Sequence, residues 1–356
     1  MKMQVVHPGC NFSVGDVFRG VHDALQRQGV EVIEYNLEGR ISTAQRYLDY
    51  VSRRCLKPGQ PKPTAVDTVY LACQDILIRG LRYQVDWVLI LTGTSMHPDS
   101  MILMRRAGLK LAVILTESPY TDSLETMIAR CANVAFTNER TSVATFSPWC
   151  PTYYWQHAMD PAKHTGEPTE EDAKVAAHDV VFVGTGFRER IDLLKGVNWN
   201  GIDLGLYGTW ELLGSRSRLR QYVRGGLTDN KTTAALYRRA KIGLNLHRTS
   251  MGYGNKTTHI TTAESMNPRC YELAACGRFF LTDRRAEVDE VFQGWVPTFE
   301  TPAQLESLVR QYLANDGARE RIAAELPRLV AGHTFDARVK GLVEVLEGQC
   351  LKPRES

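Results

Sequence analysis

Short, unbroken apolar runs separated by helix-like stretches constrain the fold of this 356-residue chain most strongly. The first half contains QVDWVLILTG and LKLAVILTES, and the second half repeats the pattern with DVVFVGTG, GIDLGLYG, AKIGLNLH and RFFLTD. A strand that is apolar on both faces is typical of a parallel sheet covered by helices on both sides. The alternation of such strands with helices therefore predicts an α/β chain whose parallel sheets are joined by right-handed crossovers.

A polar segment, DPAKHTGEPTEEDAKVAAH, separates the two series of strands and contains Pro161 and Pro168. The length of the chain is typical of about two domains. Together with this segment, it predicts an N-terminal Rossmann-like domain over residues 1–165 and a C-terminal one over 166–356. In the first domain MQVVHP and VEVIEYNL are predicted strands, and ANVAFTNE is predicted to be the last strand. Ligands bind at the carboxyl ends of parallel strands, so we expect strand-end loops of both domains to line one cleft.

Composition narrows the class of protein further. The formal net charge of +3 permits an anionic ligand and does not by itself indicate nucleic acid. The N-terminal stretch lacks the apolar core of a signal peptide, and no apolar run approaches the ~18 residues of a membrane span, so we expect a cytoplasmic protein without a transmembrane segment. The eight cysteines are scattered without a C-x-x-C pair, which predicts free thiols rather than disulfides or a zinc site.

The loop VFVGTGFRER places two glycines, Gly184 and Gly186, directly after a predicted strand, followed by Arg188 and Arg190. Glycines at such a place let backbone amides approach a phosphate, and the start of the next helix favours negative charge. Glu189 occupies the position of the third glycine in a dinucleotide fingerprint, so a nicotinamide cofactor is not expected. Two interpretations remain, a phosphate-binding loop or a tight turn with two solvated arginines.

The stretch MNPRCYELAACG predicts a helix with marked ends. Asn267 suits the N-cap, Pro268 the first helical position, and Gly277 the residue after the helix. Its N-terminus, with Arg269 in the first turn, would form an anion site suited to a diphosphate. Glu272, about one turn further, would accept hydrogen bonds from the hydroxyls of a ribose, or would only complement the helix dipole.

Seven residues separate Glu264 from Glu272, and this spacing, followed by LAACG, resembles the E-x7-E pattern of GT-B glycosyltransferases with nucleotide-sugar donors. The fuller pattern is similar to the spore-maturation CgeB-like glycosyltransferase family. The resemblance is carried in the second half by VFVGTGFRER, AKIGLNLHR, MNPRCYELAACGRFFLTD, EVDEVF, TPAQLESLVRQYLANDGARERIA and HTFDAR, and more loosely in the first half by LTESPY, AFTNE and YYWQHAMDPAKH.

The resemblance implies a GT-B fold of two Rossmann-like domains facing a central cleft. The C-terminal domain would hold the donor nucleotide, the N-terminal domain the acceptor, and the last helix would cross back. Glu272 would bind the donor ribose, and Glu264 would reach another part of the same ligand. His247, at the end of IGLNLH, would lie in the cleft or be a structural strand-end residue. The residues implied at the diphosphate are Asn267 through its following amides, Arg269, Gly184, Gly186 and Arg190.

A transfer with inversion also needs a base near the acceptor hydroxyl. The candidates in the N-terminal half are Asp16, His97 and Glu117, all near predicted strand ends. As alternatives, Asp16 would favour the start of its helix, His97 would be an ordinary loop residue, and Glu117 would cap a helix. No D-x-D triplet is present, so we expect a metal-independent enzyme without a cofactor, whose donor is a nucleotide sugar, UDP-sugars being the first expectation.

Two other functions stay open for the same fold. One is a nucleotide-sugar-binding protein without transfer activity. The other is a glycosyltransferase that modifies nucleic acid, for which RRCLKPGQPKP (53–63) and RRAGLK (105–110) are the only suggestive basic stretches, unless they are solvated faces. The acceptor, whether protein, glycan or nucleic acid, is left open.

Overall fold

The computed structural model describes residues 1–9, 13–251 and 259–350. The chain forms two compact units, one comprising Met1–Trp155 with the segment from Val339 onward, the other comprising Gln156–Arg338. The division therefore precedes the polar segment in which the sequence places the domain boundary. None of the helices in the described ranges is long and apolar enough to cross a membrane.

The first unit contains a parallel six-stranded sheet in the order β2-β1-β3-β4-β5-β6. Its strands are β1 (Lys2–His7), β2 (Glu31–Asn36), β3 (Trp87–Leu91), β4 (Leu111–Leu115), β5 (Val134–Thr137) and β6 (Thr152–Tyr154). The central strands β3, β4 and β5 are buried throughout, as their unbroken apolar runs predict. The prediction that ANVAFTNE ends the series is wrong, because β6 adds an edge strand that is too short and too exposed to show an apolar run.

Helices cover this first sheet. They are α1 (Ser13–Arg27), α2 (Leu37–Arg54), α3 (Ala65–Arg82), α4 (Pro98–Arg106), α5 (Asp122–Ala129) and α6 (Val143–Phe146). Helix α3 begins at a capping box in which Thr64 and Asp67 satisfy each other's backbone amides. Its buried face, which includes Ala72, Cys73 and Ile76, packs into the core with residues of β3 and β4.

The second unit contains a parallel six-stranded sheet in the order β12-β11-β10-β7-β8-β9. Its strands are β7 (His178–Val183), β8 (Leu204–Tyr207), β9 (Val223–Gly225), β10 (Ala240–Asn245), β11 (Phe280–Asp283) and β12 (Thr298–Phe299). The sequence predicts four of these and misses the short edge strands β9 and β12. The order matches the doubly wound dinucleotide-binding sheet, whose topological switch point lies between the first and fourth strands, here β7 and β10.

The helices of this unit are α7 (Arg188–Lys195), α8 (Asn230–Arg239), α9 (Pro268–Ala275), α10 (Ala286–Phe292), α11 (Pro302–Leu313) and α12 (Asp316–Val330); α13 (Phe335–Cys350) follows. Helix α9 begins at Pro268 and is followed by Gly277 at φ +60°, as the sequence predicts. The central strands and α9 share one core, in which Phe182, Leu244 and Leu273 are buried.

The polar segment between the two series of strands is fastened to the second unit. The buried guanidinium of Arg238, on α8, donates from Nε to both carboxylate oxygens of Asp172 at 3.0 Å. Its Nη atoms donate to the Thr169 hydroxyl at 2.9 Å and the Thr165 carbonyl at 3.2 Å. A buried, multiply bonded guanidinium is a strong anchor. The expected linker is thus an ordered part of the second unit over these residues.

The cysteines for which the structure gives positions are free thiols, in agreement with the sequence. Five of these, at positions 73, 131, 150, 270 and 276, are buried. Cys10 and the side chain of Cys350 lie outside the described residues.

Candidate functional site

The switch point of the second sheet gathers several of the residues that the sequence singles out. The loop after β7 contains Gly184, the loop after β10 contains His247, and the N-terminus of α9 contains Arg269. Arg269 Nη1 donates to the Asn245 side-chain oxygen at the end of β10, at 3.2 Å. The carboxyl ends of β7 and β10 and the first turn of α9 therefore meet at one place.

Arg269 is positioned by aromatic and polar neighbours. Its guanidinium lies over the Phe182 ring at 5.1 Å from the centroid, a favourable cation–π distance. It also lies close to the buried Tyr237, whose phenol pKa is raised well above the ordinary value by burial and by Glu272, with Arg269 opposing the shift. The side chain itself is only half-buried. Arg269 is thus held in place while part of it remains open to a ligand.

Gly184 is required because Arg269 occupies the space beside it. A Cβ built on Gly184 would lie 2.6 Å from Arg269 Nη2 and 3.1 Å from the Phe182 ring. Gly184 and Arg269, which only the family resemblance predicts to be at one site, are thus direct neighbours.

If this site binds a nucleoside diphosphate, as the sequence predicts, Gly184→Ala should move the Arg269 guanidinium and weaken that binding about tenfold, or about 1.4 kcal/mol. The physical reason is that a Cβ contact at 2.6 Å cannot persist, and the flexible arginine tip is the group that shifts. Calorimetric titration would measure the change. Gly214→Ala is the matched control, since its Cβ would meet nothing within 4 Å. Equal affinities of the two variants would contradict the prediction.

The amides of the glycine loop are already used within the protein. Gly184 N–H donates to the Tyr207 carbonyl at 2.9 Å, and Gly186 N–H donates to the Thr209 carbonyl at 2.7 Å. Gly186 is needed for packing, because a Cβ there would lie 2.4 Å from the Trp210 ring. These two amides therefore do not face a phosphate, and the tight-turn interpretation accounts for both glycines.

Neither arginine of this loop is fully solvated, although the tight-turn interpretation predicted two solvated arginines. Arg190 is buried, donates to the Thr185 carbonyl at 2.9 Å and lies over the rings of Phe182 and Phe187. Arg188, the first residue of α7, is half-buried. The guanidiniums of Arg190 and Arg269 thus both lie over the Phe182 ring, and this concentrates positive charge at the switch point.

The N-terminus of α9 is not capped by a side chain within the described residues. Asn267 occupies the N-cap position with extended backbone, but its side chain makes no capping hydrogen bond. The side-chain amide instead donates to the Leu246 carbonyl at 3.5 Å. The predicted cap residue is therefore correct in place and wrong in its bonding. An uncapped N-terminus keeps its partial positive charge available to an anion.

His247 is a buried member of a polar network. Its backbone N–H and its Nδ1 both lie within 2.8–2.9 Å of one carboxylate oxygen of Asp283, at the end of β11. Burial lowers the pKa of the imidazole even though Asp283 opposes the shift. The Asp283 pKa is also lowered; burial would raise it, but His247 and Arg285 together outweigh that effect. This arrangement favours the structural strand-end interpretation of His247.

Two acidic residues that were not predicted from the sequence hold the loops of the site. Glu189 accepts from the Thr249 amide at 2.9 Å and from the Ser250 amide at 3.1 Å, and so fixes the loop after β10. Glu287, buried in the EVDEVF stretch, accepts from the Met266 amide at 2.6 Å. Both acids stabilise the walls of the site. No local sequence pattern indicates these contacts, because each acid bonds to a loop that is distant in the chain.

The two glutamates of the E-x7-E pattern differ in setting. Glu264 is half-buried on the loop before α9, and its carbonyl accepts from the Glu287 amide at 3.1 Å. Glu272 is half-buried on α9 and lies next to Arg269 on the helix surface, three residues along. Its carboxylate makes no hydrogen bond or ion pair with any residue of the described ranges. Within the described ranges, Glu272 therefore stays a candidate for hydrogen bonds to a ligand, as the sequence predicts.

The three candidate bases follow neighbouring strands of the first sheet. Asp16 lies in the first turn of α1 after β1, and Glu117 follows β4. His97 follows β3 and caps α4. Its Nδ1 accepts from the Asp99 amide at 3.3 Å, and its ring packs edge-on against Tyr70. The capping bond uses the Nδ1 lone pair, so the ordinary loop interpretation gains support for His97.

Glu117 is fixed through a second acid. Its amide donates to Glu125 Oε1 at 3.0 Å, and the Ser118 hydroxyl donates to Glu125 Oε2 at 2.5 Å. Burial raises the pKa of Glu125 to about 8.

No cluster of three or more potential metal ligands occurs in the residues the structure describes.

One family model matches part of the chain. Residues 188–344 match a family model described as glycosyl transferase-like, which spans less than half of the chain. A comparison with curated proteins finds no significant match.

Solved structures match over nearly the whole chain. A sucrose-phosphate synthase from Thermosynechococcus elongatus has a TM-score of 0.68 at 11% identity, covering 98% of this chain and 99% of that one. A trehalose-6-phosphate structure from E. coli, bound with UDP-2-fluoro glucose, has a TM-score of 0.58 at 12% identity, with coverage of 98% and 99%. A Listeria monocytogenes protein described as a UDP-N-acetylglucosamine 2-epimerase has a TM-score of 0.61 at 11% identity, with coverage of 98% and 96%.

At these identities the structural likeness establishes the fold, and the two six-stranded parallel sheets confirm the predicted fold class. The chain has the GT-B fold, and its residues 188–344 match the family model described as glycosyl transferase-like.

Proposed function

We propose that the chain is a glycosyltransferase that binds the diphosphate of a nucleotide-sugar donor at the switch point between β7 and β10. The proposal rests on the position of Arg269. This residue lies in the first turn of α9, a helix without a side-chain cap, and its guanidinium contacts Gly184 in the loop after β7. A guanidinium and a helix N-terminus at one place form an anion site.

The chemistry follows from the charge at this site. When the bond between the sugar and the diphosphate breaks, negative charge accumulates on the leaving phosphate. Preorganised donors that stabilise this charge lower the barrier. Arg269 and the α9 amides are such donors. Arg190 adds positive charge nearby, since its guanidinium also lies over the Phe182 ring, 5.5 Å from the centroid. These groups stabilise the leaving group without requiring a metal.

The remaining parts of the donor fall to the two glutamates. We assign the ribose hydroxyls to Glu272, because its carboxylate is half-buried, adjacent to Arg269 and without a bonding partner in the described ranges. Glu264 would contact the sugar. Uracil is the proposed nucleobase of the donor, by analogy with the E. coli structure bound with UDP-2-fluoro glucose.

The acceptor is proposed to bind the first unit, with the base drawn from Asp16, His97 and Glu117. Of these Glu117 has the best support, since Glu125 fixes its backbone at the end of a central strand. We also propose that the chain is related to the CgeB-like glycosyltransferases and acts in the cytoplasm. The second unit would bind the donor and the first unit the acceptor.

A ligand screen tests the proposal directly. We expect one of UDP, GDP, ADP or dTDP to stabilise the protein without added magnesium, by about 2.7 kcal/mol at 100 times its dissociation constant. Thermal denaturation of the full chain with each nucleotide would measure the shift. Absence of any shift, with or without magnesium, would rule out the donor site.

Product analysis separates transfer from the other activities of a nucleotide-sugar site. The structural match to a protein described as a UDP-N-acetylglucosamine 2-epimerase makes epimerisation the second candidate. Transfer requires donor consumption that depends on an acceptor, epimerisation changes the donor sugar without one, and a binding protein does neither. A gel shift with duplex DNA that weakens steeply with salt would indicate the nucleic-acid alternative.

A further inference from the structure

We propose that the exposed face of α2, with the segment that follows it, is a docking surface for an anionic lipid bilayer. The surface consists of Arg46, Tyr47, Tyr50, Arg53 and Arg54, and we call it the α2 face. All five side chains are exposed, and Tyr47 and Tyr50 are exposed by 59% and 62%.

The spacing puts these residues on one side of the helix. Residues three, four and seven apart share a helix face, and positions 46, 47, 50, 53 and 54 fit that spacing. The opposite side of α2 carries its buried residues, Leu37 and Ala44. The helix therefore faces the core with small and aliphatic groups and faces solvent with aromatic rings and guanidiniums.

Charge selects the kind of partner. Residues 43–63 contain five basic residues, the three arginines of the α2 face with Lys57 and Lys62, against the single acid Asp49. This net charge of +4 exceeds the +3 of the whole chain, so the remainder of the protein carries a slight negative charge. An anionic surface is complementary to such a segment, whereas a second copy meeting it face to face would be repelled.

The apolar groups favour lipid over nucleic acid. Tyrosine rings and the aliphatic stems of arginine suit the boundary between headgroups and acyl chains, with their polar ends in water. On the neighbouring helix α3, Val66 and Ile78 are exposed by 59% and 61%. Aliphatic side chains have no stacking partner in a nucleic acid, but they gain from burial in the hydrocarbon boundary.

Vesicle binding by the full chain tests the proposal. We expect the protein to co-sediment with vesicles of phosphatidylcholine and phosphatidylglycerol, not with phosphatidylcholine alone, and to dissociate at high salt. Each basic residue near an anionic leaflet is worth about a five-fold change in partitioning, so R46Q/R53Q/R54Q should weaken binding about a hundredfold. Y47S/Y50S should also weaken binding, with the salt dependence retained.

The matched control is R216Q/R218Q/R321Q, which removes three exposed arginines from the second unit and should bind like wild type. Circular dichroism of each variant verifies that it is folded. Failure of the wild type to bind anionic vesicles would overturn the proposal, as would equal binding by the two triple variants. It would also be overturned if R46Q/R53Q/R54Q lost duplex-DNA binding, or dissociated a dimer, without any change in vesicle binding.

Discussion

Arg269→Ala is expected to weaken nucleoside diphosphate binding by about 1.5–3 kcal/mol, while binding of the corresponding nucleoside changes little. A bound phosphate would accept charge-assisted hydrogen bonds from the guanidinium that a nucleoside cannot, and such bonds account for that magnitude. Its contacts with Asn245, the Phe182 ring and Tyr237 position the guanidinium and do not depend on a ligand. Calorimetric titration of uridine and UDP into wild type and variant would give the two differences separately.

Arg328→Ala is the matched control for charge, because Arg328 is an exposed arginine of the same unit, paired only with Glu325 in the described contacts. It should leave both affinities unchanged. A folded Arg269→Ala protein that loses the same amount of affinity for uridine and UDP would show that Arg269 does not contact the phosphates.

The features that could be predicted from sequence are those set by local pattern. The apolar runs at β4 and β10 predicted central parallel strands, because both faces of such strands are covered. Pro268 and Gly277 predicted the ends of α9, since each suits one end of a helix for its own backbone reason. The edge strands β6, β9 and β12 escaped because a short edge strand does not need an unbroken apolar run.

The features that could not be predicted depend on partners distant in the chain. Nothing near Asp172 indicates that it pairs with Arg238, so an anchored segment resembled a linker. The carbonyls that take up the amides of Gly184 and Gly186 come from the next strand and its loop, and no local pattern reveals them. The roles of Glu189 and Glu287 likewise follow from the loops that fold over them.

Among the residues assigned to the donor, Glu272 separates the two interpretations of α9 most clearly. Glu272→Gln keeps the size of the side chain and one acceptor oxygen, so the fold should survive. As a ribose ligand the carboxylate binds equally in the ground and transition states, so its loss should raise the donor KM with little change in kcat. Donor affinity should fall by about 1.5–3 kcal/mol. A helix-dipole role alone would instead cost about 0.3–1 kcal/mol of stability and nothing in binding.

The experiment combines donor titration with melting temperatures of the ligand-free proteins. Glu320→Gln, an exposed glutamate of α12 in the same unit, is the control for loss of one negative charge. It should match wild type in donor affinity. If Glu272→Gln is folded and binds the donor as wild type does, the ribose assignment fails even where Arg269→Ala has confirmed the diphosphate. Glu272 would then serve only the stability of α9. The residue that binds the ribose would lie on another strand-end loop of the second sheet.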